Sequence, residues 1–320
     1  MPAHTRYPTI DDQGRITPAS RAAALVFVII LPTVATILAV GVLLLDAVTW
    51  TDVWVFAGMY LATAIGITVG YHRLFTHRSF ETFRPVRYLL ALCGGMAAEG
   101  APIIWASQHR QHHAFPDQDG DPHSPHVGRQ PGVSGVLLGL WHSHYGHVFR
   151  QVGRIEPERY APDLVHERFL LACERFTMVP AIAGFVLPFG IGGLATGTWM
   201  GAWTGLLWGG FVRLFVATHA TGAVNSLCHY VGSRPFDLDD SSRNVWWLAP
   251  ITLGESWHNG HHAFPTSARH GFRWWEIDPS WLVILTMEKL GLAWNVVRIS
   301  PEQQAQKSRR DLPPRVGGMK

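Results

Sequence analysis

Four long apolar stretches dominate the hydrophobic pattern of the chain, and they fall into two pairs with polar sequence between the pairs. The stretches cover residues 22–45, 53–71, 178–194 and 199–217. Because a helix rises about 1.5 Å per residue, about 20 apolar residues suffice to cross a hydrocarbon core of about 30 Å. The pattern therefore predicts four transmembrane helices that form two hairpins.

The basic residues lie on one side of these predicted hairpins. The loops at 46–52 and 195–198 contain no Lys or Arg, whereas the termini and the long polar segments contain nearly all of them. Membrane proteins keep their Lys-rich and Arg-rich loops in the cytoplasm. Both termini and the long polar segments are therefore expected to be cytosolic, at a bacterial inner membrane.

The sequence between and after the hairpins predicts a helical cap. Residues 86–104 are apolar but contain Arg87 and Glu99, so they predict a buried or interfacial helix rather than a span. Residues 114–175 are polar and are expected in water. The chain after His219 is expected to be aqueous or interfacial.

These features predict three parts along the chain. Residues 1–21 are a polar N-terminal segment, residues 22–300 form one all-α domain, and residues 301–320 are polar with several Pro and Gly. A polar segment of this kind buries too little apolar surface to fold alone. We therefore expect the last part to be disordered.

Composition supports a membrane protein. Charged residues make up 15% of the chain, hydrophobic residues make up 48%, and there are 14 Trp, a residue enriched at membrane interfaces. The net charge of +3 is mild, so a lipid surface fits and no nucleic-acid partner is expected. Arg213 falls within the fourth stretch, where we interpret it either as a partner of Glu99 or as a cation that reaches the interface. The three cysteines are expected to be reduced thiols.

Histidines are concentrated in three clusters beside the apolar stretches. They form one H-x4-H pair and two H-x-x-H-H pentads, namely His72 and His77, then His109, His112 and His113, then His258, His261 and His262. Because residues i, i+3 and i+4 are neighbours on a helix, each pentad can direct three imidazoles at one point. Neutral imidazole is a common metal ligand. Eight such rings exceed the coordination number of one ion, so the clusters predict two metals.

The sequence around these clusters resembles a known family. The strings YHRLFTH, HRQHHAFPDQDGDPHSP, RYAPDL, AVNSLCH and GESWHNGHHAFP are similar to those of membrane fatty-acid desaturases, and most of all to the acyl-CoA (stearoyl-CoA) Δ9-desaturase group. The resemblance extends over roughly residues 70–298. It implies an all-α membrane protein with four transmembrane helices and a cytosolic cap that holds a di-iron site.

The resemblance also implies the ligands of two iron ions. The family's nine histidines correspond to the eight above and His229, and a family asparagine that reaches one metal through water corresponds to Asn225. Glu255 also matches, and its carboxylate is expected to orient a ligand imidazole. Which histidines bind which iron is left open. The other nine histidines are expected at the surface or in hydrogen bonds to ligands.

The implied reaction is the insertion of a cis double bond, at Δ9, into a long-chain saturated acyl-CoA. O2 is reduced to water, and no haem-binding domain is recognised, so a separate ferredoxin-like or cytochrome b5-like donor with its reductase is expected. The resemblance places Tyr60, Ala64 and Trp105 on the substrate tunnel, where the first two set its depth. The small Ala64 side chain favours a long acyl chain.

Other interpretations remain at this stage. Ser107 and Gln108 replace an Arg and an Asp of the animal enzymes, and Gly222 replaces a Trp, so acyl-carrier protein and glycerolipid stand beside CoA as acyl carriers. A di-iron lipid hydroxylase uses related histidine clusters. A metal transporter is disfavoured because the clusters lie beyond the ends of the predicted spans.

Overall fold

The computed structural model describes residues 6–45, 48–128 and 131–308, and most of them are helical. The helices include α1 (Pro18–Leu44), α2 (Trp50–Thr76), α3 (Arg84–Gly95), α4 (Pro102–Ala114), α5 (Val133–Trp141), α6 (Pro157–Tyr160), α7 (Arg168–Arg175), α8 (Met178–Thr196), α9 (Trp199–His229), α10 (His258–Ala263), α11 (Pro279–Lys289) and α12 (Pro301–Lys307). Strands β1 (Glu81–Thr82) and β2 (Ala293–Trp294) pair antiparallel.

Helices α1, α2, α8 and α9 are long and apolar enough to cross a membrane. Helices α8 and α9 pack against each other as the second predicted hairpin, and α9 also packs against both α1 and α2. This part of the fold prediction is confirmed. These helices extend beyond their predicted apolar stretches. Helix α1 begins at Pro18, α2 continues to Thr76 and α9 continues to His229. Hydropathy identifies only the apolar part of a helix. The polar ends of α2 and α9 bring histidines close to the other helices, which we call the cap.

Local sequence explains where the hairpins turn. Helix α2 begins with a capping box, in which the Asp52 amide donates to Thr49 Oγ1 at 3.3 Å and the Thr49 amide donates to Asp52 Oδ2 at 2.9 Å. Between α8 and α9, Gly197 adopts a left-handed φ of 68° that ends α8. The Gly201 amide then donates to Thr198 Oγ1 at 3.0 Å at the start of α9.

The predicted helix at 86–104 is wrong as a single element. Helix α3 ends at Gly95, Gly100 has a φ of 98°, and Pro102 begins α4. A left-handed glycine followed by a proline interrupts a helix and starts a new one. The carboxylate of Glu174, on α7, accepts the amides of Ile103 and Ile104 at 2.6 and 3.2 Å, so a buried side chain caps the helix that carries the first pentad.

Two segments expected in water are more apolar than their surroundings. Helix α5 exposes Val133, Leu137, Leu138 and Trp141, although residues 114–175 are polar on average. The chain near Ile251 returns to α2, where the Tyr60 hydroxyl donates to the Ile251 carbonyl. Averaging over a long polar region conceals a nine-residue apolar helix, and a return of the chain to a span leaves no local signal.

The prediction of disorder is wrong for residues 301–307. Ser300 and Gln303 form a capping box at the start of α12, and Lys307 Nζ donates to the Ala263 carbonyl at 2.6 Å. The capping box and the contact of Lys307 together stabilise α12, although its composition alone does not predict a stable helix. The remainder of the predicted tail, 309–320, lies outside the described residues.

Neither interpretation of Arg213 is correct. Its side chain is fully buried, and its guanidinium donates to the carbonyls of Met96, Gly184 and Gly209 at 2.8, 2.7 and 3.1 Å. The Glu99 carboxylate instead accepts hydrogen bonds from Trp105 and Thr221. Backbone carbonyls from α8, α9 and the turn after α3 thus stabilise the buried cation.

Candidate metal centre

The H-x4-H pair is brought together by a π-helical end of α2. Residues Gly66–Thr76 form this π-helix, and the His77 amide donates to the His72 carbonyl at 3.0 Å, five residues earlier. The two rings are therefore adjacent, with centroids 4.8 Å apart. An i to i+5 spacing separates two side chains on a regular α-helix but aligns them on a π-turn.

Five histidines converge at this end of α2. Their ligand atoms all lie within 4.8 Å of one another, and we call them the five-histidine cluster: His72, His77, His109, His113 and His261. The Nε2 atoms of His72 and His261 are 3.1 Å apart, and those of His113 and His261 are 2.8 Å apart. Nitrogens from α2, α4 and α10 thus face one point.

Four more histidines form a second group beside the first. We call it the four-histidine cluster, and its members are His112, His229, His258 and His262. The Nε2 atoms of His112 and His262 are 3.2 Å apart, and those of His229 and His258 are 3.0 Å apart. The structure therefore divides the nine predicted ligands into five and four, a division that the sequence left open.

The expectation that each pentad directs three rings at one point is wrong. Helix α4 contributes His109 and His113 to the five-histidine cluster and His112 to the other, and α10 contributes His261 to the five-histidine cluster and its remaining pair to the other. Residues i and i+4 lie close in angle on a helix, whereas i+3 is rotated about 100° from i+4. Each pentad consequently bridges the two clusters.

Carboxylates hold the outer nitrogens of several of these rings. The Nδ1 atoms of His112, His229 and His262 lie 2.8, 3.0 and 3.0 Å from carboxylate oxygens of Asp121, Asp117 and Asp240, respectively. Each Nδ1–H donates to its carboxylate, which leaves the Nε2 lone pair directed into the cluster. None of these three carboxylates was predicted from the sequence, although Asp117 and Asp121 lie in the string PDQDGD after the first pentad.

Glu255 makes the same kind of contact with a ring of α2. Its carboxylate pairs with His72 Nδ1 and lies 3.2 Å from Arg73, which is itself fully buried. The structure thus places Glu255 against a predicted ligand. His270, expected at the surface or near a ligand, is buried in the same group, with Nδ1 3.0 Å from the Arg73 guanidinium.

The electrostatic setting favours neutral imidazole. Burial lowers the pKa of six cluster histidines well below the usual range, namely His77, His109, His113, His258, His261 and His262. His112 differs, because the adjacent carboxylate of Asp121 raises its pKa. Within the five-histidine cluster, His77 Nε2 is buried without a hydrogen-bond partner. Unprotonated, convergent and partly unpaired nitrogens fit metal ions, and an all-imidazole donor set suits iron, zinc or copper.

Asn225 lies one helical turn before His229 on α9. It lines an internal cavity beside His112 and His258, and its backbone carbonyl accepts a hydrogen bond from Ser143 Oγ at 2.5 Å. The structure therefore brings this predicted residue to the four-histidine side of the centre. Its side-chain amide is available to a group in the cavity.

The cavity itself runs between α2 and α9 and reaches both clusters. Its apolar lining includes Ala64 and Ile67 from α2 and Ala217 and Val224 from α9, and it meets His72, His109, His112 and His258. The three predicted tunnel residues, Tyr60, Ala64 and Trp105, all lie in its wall. The Trp105 ring stacks on His109 with centroids 5.1 Å apart. Such a cavity fits an apolar chain that passes close to both groups of histidines.

Glu99 joins two walls of the cavity. Its carboxylate accepts from Trp105 Nε1 at 3.3 Å and from Thr221 Oγ1 at 2.7 Å, and burial raises its pKa. These bonds connect α4 to α9 beside the histidine clusters. This role of Glu99 was not predicted from the sequence.

Comparison with known proteins identifies the family. The sequence profile described as fatty acid desaturase matches residues 49–296. A hex-5-enoyl-(acyl-carrier protein) acetylenase of Moorena producens (strain JHB) is 41% identical over 270 residues, which is 83% of this chain and 83% of that protein. An sn-1 stearoyl-lipid 9-desaturase of Anabaena variabilis is 38% identical over 251 residues, 78% of this chain and 85% of that protein. Delta-9 acyl-lipid desaturase 1 of Arabidopsis thaliana is 38% identical over 263 residues, 80% of this chain and 78% of that protein. The chain therefore belongs to the fatty acid desaturase family.

Proposed function

We propose that this protein is an O2-dependent di-iron desaturase that inserts a cis double bond at Δ9 of a long-chain saturated acyl group. The observation that carries the proposal is the apolar cavity, which has Tyr60 and Ala64 in its wall and meets histidines of both clusters. A saturated chain has no polar group by which a position along it can be recognised. Position must therefore be selected by the shape of an apolar cavity.

Two iron ions fit the two clusters. The five-histidine cluster would hold one ion, and the four-histidine cluster would hold the other, with Asn225 acting through water. Bound iron would supply the redox chemistry that an O2-dependent oxidation needs, whereas zinc has no redox chemistry. The overall reaction removes two hydrogens from adjacent methylenes, takes two electrons and two protons from a donor, and reduces one O2 to two waters.

The residues of the chain hold the reactants in place. Asp117, Asp121 and Asp240 fix the tautomers of three ligand rings, so their Nε2 atoms stay directed at the ion. The cavity excludes water from the reacting methylenes and holds the acyl chain against Trp105 and Ala64. Each buried methylene contributes about 0.8 kcal/mol to binding.

We propose a membrane glycerolipid as the acyl carrier. The relatives from Anabaena variabilis and Arabidopsis thaliana are named for acyl lipids, whereas the relative from Moorena producens is named for an acyl-carrier protein. These names favour lipid over the acyl-CoA that the sequence motifs first suggested. Ser107 stands where the animal enzymes have an Arg, which is in line with a carrier other than CoA. Acyl-carrier protein is the second candidate, supported by the relative with 41% identity.

The proposed orientation places both termini and the metal centre in the cytosol of a bacterial cell. It is supported by the lack of Lys and Arg in the loops at 46–52 and 195–198. A reduced ferredoxin-like or cytochrome b5-like protein can then reach the cap from the cytosol with its reductase. A reporter fused after residue 308 should read as cytosolic, and one inserted at 195–198 should not.

The proposal is tested in a bacterial host that lacks its own desaturase. Expression of the protein should produce cis monounsaturated fatty acids with the double bond at carbon nine, and His261→Ala should produce none. Membranes of the host should then be supplied with stearoyl-lipid, stearoyl-carrier protein or stearoyl-CoA to identify the carrier. A product that gains one oxygen instead of losing two hydrogens would identify a hydroxylase and contradict the proposal.

A further inference from the structure

Residues 245–254 form an uncharged segment with an exposed apolar surface. The flanking charges are Arg243 and Glu255, and the segment between them has none. Trp246, Trp247 and Ile251 are 68%, 49% and 48% exposed. Large apolar side chains that cluster in this way on a surface mark contact with a partner or with a membrane.

The contact with α2 places this segment far along a spanning helix. The Tyr60 hydroxyl donates to the Ile251 carbonyl. Because α2 is continuous from Trp50 to Thr76, Tyr60 lies about 15 Å along the helix from Trp50 and about 18 Å from His72. A hydrocarbon core of about 30 Å that begins near Trp50 has its middle close to Tyr60. In a bilayer placed in this way, Ile251 would lie at a depth where water is excluded.

Much of the backbone of the segment is paired within the protein. The amides of Leu248, Ala249, Thr252 and Gly254 donate to carbonyls within the same segment. Residue 250 is Pro, which has no amide hydrogen, and the Ile251 carbonyl accepts from Tyr60. Irregular backbone is stable within a membrane only where its polar groups have partners in the protein.

The segment also forms part of the cavity wall. Ile251 and Thr252 line the cavity together with Tyr60 and Ala64. Ile251 is half-exposed, so part of this residue lines the cavity and another part lies on the outer surface of the protein. In a bilayer core that begins near Trp50, the surroundings of that outer part would be the acyl chains of lipids.

We propose that residues 245–254 are a re-entrant segment immersed in the bilayer, and that the contact between Tyr60 and Ile251 closes a lateral portal to the cavity. An acyl chain of a membrane lipid would enter the cavity through this portal without leaving the bilayer. The portal rests on the proposed function, because it assigns a lipid substrate. The immersion of the segment does not, because it concerns the position of the backbone alone.

Immersion is tested by spin labelling of the metal-loaded protein in lipid vesicles. A nitroxide is attached at Trp247→Cys after the three natural cysteines are replaced, and its exposure to O2 is compared with its exposure to a water-soluble nickel chelate. Leu38→Cys, at an exposed position of α1, is the membrane control, and Glu302→Cys, at an exposed position of α12, is the aqueous control. The label at position 247 should behave like that at position 38. A label at headgroup level or in water overturns the proposal.

The portal is tested by Tyr60→Phe, which keeps the ring and removes the donor to Ile251. Loss of one typical hydrogen bond shifts an opening equilibrium about fivefold. A nitroxide at Ile251→Cys should become more mobile, and KM for vesicle lipid should change while the metal content does not. Tyr88→Phe makes the same substitution on α3, in the cap, and should alter neither the mobility of the nitroxide nor KM. Unchanged mobility and unchanged KM in Tyr60→Phe overturn the portal.

The two failures can be distinguished. If the wild-type protein desaturates lipid but the label at position 247 is aqueous, the re-entrant segment is wrong and the proposed function stands. If the label is immersed but no lipid is desaturated, the proposed substrate is wrong and the portal falls with it. The immersion result holds in both cases.

Discussion

His112 and His113 are adjacent in sequence and belong to different histidine clusters. His112 lies with His262, with Nε2 atoms 3.2 Å apart, and His113 lies with His261, with Nε2 atoms 2.8 Å apart. Successive residues of α4 are rotated by about 100° around the helix axis, and this rotation separates the two rings. On α10, the same rotation separates the rings of His261 and His262. One short stretch of helix thus connects two ligand sets, so a shift of α4 moves ligands of both.

The division of ligands predicts separate metal losses. His77→Ala removes a ligand of the five-histidine cluster, and His258→Ala removes one of the four-histidine cluster. Each variant should retain about one metal ion per chain where the wild-type protein holds about two, because the other ligand set is intact. Elemental analysis of the purified protein measures this. His166→Ala, at an exposed position, should retain the full content, and equal loss in all three variants would argue against two distinct sites.

Asp121 is predicted to tune the four-histidine cluster without contacting a metal. Asp121→Asn keeps the size of the side chain but weakens its hold on His112 Nδ1, which should lower metal affinity about 10-fold to 100-fold. Competition with a chelator measures the affinity. Asp119→Asn, two residues earlier and exposed, is the matched control and should leave it unchanged. If both variants bind metal equally well, the outer carboxylate does not orient the ring.

Ala64 is predicted to limit the length of the substrate. Ala64→Leu fills part of the cavity wall, so long chains should be excluded by overpacking and products should shift toward shorter chains, by about two methylenes or more. Metal content should be unchanged. Ala62→Leu, on the same helix but not in the cavity wall as described, is the control, and chain lengths are read by gas chromatography. An unchanged length profile in Ala64→Leu would mean that the cavity ends elsewhere.

The histidine clusters predict how metal-free protein responds to acid. Burial lowers the pKa of His258, His261 and His262 below that of an unfolded chain, which is about 6.5. Below that pH the unfolded state binds more protons, so stability is present above about pH 6.5 and falls as the pH drops below it. Thermal unfolding of metal-free protein should therefore show a lower Tm at pH 5.5 than at pH 7.5. A Tm that rises on acidification would contradict this prediction.

Glu174 is predicted to stabilise the helix that carries the first pentad. It is buried, its pKa is raised to about 8 by burial, and it accepts the amides of Ile103 and Ile104. Glu174→Ala removes this cap and should cost about 1–2 kcal/mol, measured by denaturation in detergent. Glu174→Gln keeps an acceptor and should cost less. Equal loss in both variants would mean that the Gln side-chain oxygen does not replace the carboxylate as the acceptor of the Ile103 and Ile104 amides, and would contradict this prediction.

The parts of the fold that follow from local sequence were predictable. Four apolar stretches identify α1, α2, α8 and α9 because each contains enough apolar residues to span a bilayer by itself. Histidine spacing identified residues that the structure brings together at the centre. The division of the pentads was also predictable in principle, since it follows from the angle between residues on an α-helix.

Other features depend on contacts between distant parts of the chain. The π-turn that aligns His72 with His77 forms among the packed residues at the end of α2 and has no spacing rule of its own. Asp240 reaches His262 from a loop, and Ile251 reaches Tyr60 across 191 positions of sequence. Hydropathy and periodicity describe neighbours in sequence, so they do not reveal such contacts.

We propose that the two histidine clusters and the apolar cavity together desaturate an acyl chain. The mass of the product that the purified, iron-loaded protein forms in vesicles of stearoyl-lipid, with O2 and a reduced ferredoxin, tests this proposal. We expect a fatty acid that has lost two hydrogens, with a cis double bond at carbon nine, and no such product from His261→Ala. A product that has gained oxygen, or no product from protein that holds two irons, would contradict it.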